Sequence, residues 1–236
     1  MNQPLAYAPL LETPQGSIPL RYSIEQVPED SDGQVAATIS KMSRYVCEDC
    51  QSGPVVYDAR CAIASNPNDP LTAVHQFVRS RLKFRNDEAI TQPYTWMLPK
   101  GNGEDYFVEC LKRPVDVSLE YAYTGQPVEE DCDGHAMYCA ALLKALGVDC
   151  SFCTVAANEK KPNIYSHVYV VAYWRGKRYA MDCSHGPYAG WEHSPYYRLQ
   201  EWPIFDRQSY GLVGLALVAA GWFAWRNRNE IRRLFA

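Results

Sequence analysis

Three features of the chain predict an α+β fold. Apolar residues recur at helical spacing along most of the first half; a further helical segment is fenced by Asp131 and Gly147; and beyond Gly147 the pattern turns to short β-rich runs joined at Arg175-Gly176. Helices followed by sequence-adjacent strands describe a helical N-terminal part and a central helix packed on an antiparallel sheet.

Residues 1–28 mix prolines, turn formers and a short alternating run at 18–24, which predicts an extended arm or edge strand. Acidic residues at 30 and 32 precede Val35, Ile39, Met42, Tyr45 and Val46, one apolar face of a helix that stops before Gly53-Pro54. A second helix is expected over 55–64. The breaker at 66–70 opens a third through Leu71, Val74, Phe77, Val78 and Leu82. Residues 83–115 are rich in Pro, Gly, Asn and aromatics and read as a long irregular stretch, with helix resuming over 111–121.

Asp131 is a natural N-cap for the central helix, whose apolar positions are Ala136, Cys139, Ala140, Leu143 and Leu146, with Gly147 as its stop. Residues 148–156 read as a strand, 157–165 as a polar loop, and 167–174 with 177–182 as a hairpin turning at Arg175-Gly176. The main domain is assigned to 29–205.

The run 210–225 carries no charge, and Arg226, Arg228, Arg232 and Arg233 follow it against Glu230 alone. Aromatics at both ends and small residues between them fit a single membrane-spanning helix over 209–226 with a basic tail at 227–236. The expected location is therefore a membrane. The N-terminal residues show no basic segment leading into an apolar stretch, so no signal peptide is read there. A net charge of -4 gives no general attraction to nucleic acid.

Nine cysteines, an odd number spread over 236 residues, do not describe a disulfide framework. Cys47-x-x-Cys50 and Cys150-x-x-Cys153 have the spacing of a split zinc site, but Cys150 and Cys153 lie three apart on a strand and point to opposite faces. No metal and no cofactor is expected.

Cys132 falls in the first turn of the central helix, where unpaired N–H groups and the dipole favour a thiolate, while Glu129, Glu130, Asp131 and Asp133 oppose it. A cationic partner is therefore required. A two-residue turn at Arg175-Gly176 pairs Trp174 with Lys177, sets Tyr169 opposite Asp182, and puts His167 and Asp182 on one face as diagonal neighbours. Asp182 would then fix the tautomer of His167, and His167 would serve Cys132 as base for attack on a carbonyl. The other histidines fit worse: His75 lies in the third helix, His135 one turn beyond Cys132, and His185 and His193 past the hairpin.

The segments EEDCDGHAMYCAALLKALGV and SHVYVVAYWRGKRYAMDCS resemble the nucleophile helix and the histidine and aspartate strands of the transglutaminase-like superfamily. The resemblance implies a papain-like core with Cys132, His167 and Asp182 as catalytic triad. It implies acyl transfer on amide bonds of a protein or peptide substrate, by hydrolysis or by protein cross-linking. The alternative is a non-catalytic, membrane-anchored structural or binding protein. The helices ahead of Cys132 also look like transglutaminase-like proteins of bacteriophages, which would make virion components the partners and a virion membrane the location. Two departures from the family pattern stand out: Glu130 where glycine often precedes the Asp-Cys pair, and Gly134 where a second acidic residue is common. Beyond the backbone near Cys132, Gln126 is the candidate oxyanion donor.

Overall fold

The computed structural model describes residues 5–7, 10–13, 16–19, 22–26, 32–91 and 108–204, the first four of these as backbone only. Strands β1 (Leu5–Tyr7), β2 (Leu10–Thr13), β3 (Gly16–Pro19) and β4 (Tyr22–Gln26) come first. Helices α1 (Asp32–Asp49), α2 (Gly53–Ser65) and α3 (Pro70–Arg81) follow, the last two opened by a proline in the first turn, where a missing N–H costs nothing. Short elements β5 (Leu82–Phe84), α4 (Asp87–Thr91) and β6 (Val108–Lys112) lead to α5 (Pro114–Thr124) and β7 (Val128–Glu130). Then come α6 (Cys132–Ala145), β8 (Asp149–Ala156), β9 (His167–Trp174), β10 (Lys177–Met181) and β11 (Arg198–Pro203).

The last four strands form one antiparallel sheet in the order β10-β9-β8-β11. Its inner face receives α6, which packs on β8 and β9 and is enclosed on its other sides by α1, α2, α3 and α5. Every residue of α6 from Gly134 to Leu143 is buried. A helix surrounded this way cannot be amphipathic, and that is why Ala, Met, Tyr, Cys and Leu occupy it almost without a polar face. Its N-terminus is held to one side by β7, which pairs in parallel with β5 and sets Phe84 opposite Glu130.

The β9–β10 hairpin has the expected register, Trp174 opposite Lys177 and Met181 opposite Val170. Arg175 and Gly176 both take positive φ, 51° and 74°, as the two-residue turn that matches strand twist demands. On β8, Cys150 belongs to the main core and Cys153 to a second cluster with Tyr169 and Val171 on the sheet's other side. The two thiols therefore do not face one ion.

Three expectations are revised. Residues 111 and 112 are strand, not helix: β6 pairs with β4, and the helix starts only at Pro114. The run at 18–24 contributes to two strands, β3 and β4, and β4 is the middle strand of the β1-β4-β6 sheet rather than an edge. Within 83–115, β5 and α4 are regular as well as β6. For β4, β5 and β6 the pairing partner lies far along the chain, β6 for β4 and β7 for β5, which local periodicity does not report. Among the described residues no helix is long and apolar enough to cross a membrane, and the 209–226 segment lies outside them.

Candidate active site

Cys132 is the first residue of α6. The carboxylate of Asp131 caps that helix, accepting from the N–H of Asp133 at 2.9 Å and of Gly134 at 3.2 Å. The thiol donates weakly to Asp133 Oδ1 at 3.7 Å, with Asp131 Oδ2 at 4.0 Å.

Much of the acidic run around it is neutralised by the fold. Glu129 is bound by Lys83 at 3.1 Å and by Arg85, which hold its carboxyl below the usual range. Glu130 is buried, and its Oε1 lies 2.9 Å from Nζ of the equally buried Lys112, which also reaches Glu120. Burial pushes the Glu130 carboxyl up, against the pull of Lys112. Burial and the neighbouring Asp133 push Asp131 well above the ordinary carboxylate value, so it resists carrying a full charge beside the sulfur.

His167 opens β9 and Asp182 follows the last residue of β10. Their side chains meet, with His167 Nε2 2.8 Å from Asp182 Oδ2. A carboxylate only accepts, so Nε2 carries the proton and Nδ1 keeps the lone pair. Asp182 is fully buried. Burial opposes its charge, but hydrogen bonds from His167, from the His185 N–H and from the Ser184 hydroxyl outweigh it and hold the carboxyl well below the usual range. Its Oδ1 takes three donors, Ser184 N at 3.2 Å, Ser184 Oγ at 2.9 Å and His185 N at 3.0 Å.

All five histidines of the chain gather here. His185 stands edge-on to His167 with ring centroids 4.8 Å apart, and His193 lies 5.8 Å away on centroids. His75 Nε2 is 3.2 Å from the backbone oxygen of Asp182. His135, buried in α6, donates from Nδ1 to Asp131 O at 2.6 Å, and desolvation brings its pKa down to about 4, leaving it neutral. Phe84 links the two halves of the site, its ring 4.8 Å from His185 and 6.2 Å from His135. The α6 N-terminus and the His167-Asp182 pair thus share one cluster of rings. Spacing along the chain carries no sign of this, because His75 comes from α3 while His185 and His193 both lie in the connection between β10 and β11. Gln126 lies exposed between α5 and β7.

Two groups have ligand atoms close enough for a metal, His167 with Asp182 and His185, and Asp131 with Cys132 and Asp133, each within 4.8 Å. In the first, both Asp182 oxygens already accept hydrogen bonds, four in all, which suits holding an imidazole rather than an ion.

No family model matches the chain, and neither does any curated protein. Among solved structures, a candidate cysteine protease from Cytophaga hutchinsonii aligns with a TM-score of 0.35 and 13% identity over 79% of this chain and 63% of its own. A structure described as a TGase aligns at 0.31 and 15%, over 70% of this chain and 36% of its own. The chain spans less than two thirds of the length of either. Superpositions this loose assign no activity.

Proposed function

We propose that this chain is a cysteine acyl-transfer enzyme of transglutaminase-like type that cleaves amide bonds through a thioester on Cys132. The observation that carries the reading is the buried His167-Asp182 bond, made through Nε2 to an ionised carboxylate. It leaves His167 Nδ1 as the nitrogen able to take a proton, in the ring cluster that also holds the start of the cysteine-bearing helix.

His167 Nδ1 accepts the Cys132 thiol proton, and the sulfur attacks the amide carbonyl. The imidazolium is stabilised by Asp182 and returns the proton to the leaving amine as the C–N bond breaks. Water, deprotonated by the same nitrogen, then attacks the thioester, releasing the acid and restoring the thiol. An amine in place of water would give cross-linking. The first substrate class is protein or peptide amides.

Incubation of the purified protein with an activated aryl ester, followed by peptide mass spectrometry, tests this. The expected result is an acyl group on Cys132 that is absent from Cys132→Ser and slowed in His167→Ala. Acylation spread over several cysteines, or unchanged in His167→Ala, overturns the reading. We also propose that residues 209–226 anchor the chain in a bilayer, supported by their uncharged run and flanking arginines. Flotation of the full chain with liposomes, lost on deleting 209–236, is the expected outcome.

A further inference from the structure

We propose that His75 and Arg79, one turn apart on α3, are positioning residues that hold Asp182 in place for His167, an inference that rests on the acyl-transfer reading above. Asp182 stands beyond the last paired residue of β10, Met181, so no rung of the sheet fixes its backbone. The chain instead folds into a knot over 182–186. The N–H groups of Ser184 and His185 return to the Asp182 carboxylate, and that of Gly186 returns to its backbone oxygen at 2.9 Å. Gly186 comes so close that a Cβ there would stand 2.5 Å from that oxygen.

A knot of this kind turns its carbonyls outward, and four of them meet donors from α3. His75 Nε2 donates to Asp182 O, and Arg79 Nη1 approaches the oxygens of Cys183 at 3.2 Å, Ser184 at 3.5 Å and Gly186 at 3.1 Å. His75 is buried, and desolvation lowers its pKa, so it meets the carbonyl as a neutral donor. Residues i and i+4 share one helix face, so a single rigid element packed on α2 and α6 grips the segment at both ends. The contacts these two side chains make with 182–186 are to backbone oxygens. They act through Asp182.

Charge and geometry predict opposite effects for Arg79. His167 is faced by Asp182, His185, His193 and Tyr169, and the positive charge of Arg79 depresses protonation of His75, His135 and His185 nearby. If Arg79 mattered only as a charge, removing it would ease formation of the imidazolium, and the rapid alkylation of Cys132 would extend to lower pH. If it positions Asp182, removing it loosens the support of His167, and rapid alkylation retreats to higher pH.

The test is residue-resolved alkylation of Cys132 by iodoacetamide against pH, in the full chain and in Arg79→Ala, Arg79→Lys, His75→Leu and His75→Gln. Arg79→Ala and His75→Leu are expected to slow Cys132 about 10- to 100-fold at mildly acidic pH, the scale on which a misplaced catalytic group is felt. Arg79→Lys keeps the charge without the fork and is expected to shift the profile in the same direction by less. His75→Gln keeps a donor and is expected to restore most of the parental profile. Should Arg79→Ala fail to fold, the lysine and the two His75 variants carry the measurement. A parental profile in both Arg79→Lys and His75→Leu overturns the positioning role alone. A parent in which His167→Ala leaves Cys132 unaffected overturns the acyl-transfer reading and this inference with it.

Discussion

The side chain of Glu130 lies across the bare Cα of Gly134: a Cβ built at 134 would stand 2.4 Å from Glu130 Oε2, 2.6 Å from its Cβ and 2.9 Å from its Cγ. Glu130 and Gly134 are therefore one feature. An acidic side chain ahead of the Asp-Cys pair occupies the space that a side chain at 134 would need, and its charge is taken up by Lys112 rather than left beside the sulfur.

Gly134→Ala should destabilise the protein. Alanine in a helix gains up to about 1 kcal/mol over glycine, but overpacking costs about 1–3 kcal/mol, and Glu130 Cβ is tied to the β7 backbone and cannot swing away. Urea denaturation should show a lower midpoint for Gly134→Ala than for the parent; an unchanged or higher midpoint would count against the close contact with Glu130.

Lys112→Met should cost more, about 3–5 kcal/mol, because it leaves the Glu130 carboxylate buried without its partner. Lys112→Met/Glu130→Met should regain most of that loss, since an apolar pair of similar volume carries no desolvation penalty. Thermal melts of the two variants decide it.

Asp131 sets a pH dependence of known sign. Its folded carboxyl holds a proton to higher pH than the ordinary 3.8, so its contribution to stability is full below that value and is lost as pH rises through the folded value. Asparagine caps a helix as well as aspartate and does not titrate. Asp131→Asn should therefore be at least as stable as the parent at neutral pH, with a flatter stability curve above pH 3.8.

Asp133→Asn should extend rapid alkylation of Cys132 to lower pH. The Asp133 carboxylate is 3.7 Å from the sulfur, and removing a neighbouring negative charge favours the thiolate. An unchanged or opposite shift by mass spectrometry would count against this.

Asp182→Asn should lower acyl turnover by about 10²- to 10⁴-fold, because an amide cannot stabilise the imidazolium as a carboxylate does. The sign of its pH effect is opposite to that of Asp131. Its depressed folded value makes its stability contribution present above 3.8 and lost as pH falls, so the variant should unfold less steeply in acid.

Local chemistry made much of the architecture legible in the sequence. Asp131 caps α6 because its carboxylate reaches N–H groups two and three residues on. The Arg175-Gly176 turn dictates the register that puts His167 and Asp182 on one face, since side chains on a strand alternate. Both are decided within a few residues. The tertiary structure alone decided what surrounds them. β6 is strand because β4, far back in the chain, offers it a partner, and β11 closes the sheet against β8 for the same reason. Lys112 settles beside Glu130, and His75 reaches Asp182 across 107 residues of sequence. Such contacts depend on which surfaces the packed helices bring together, and the spacing of residues along a chain carries no record of that.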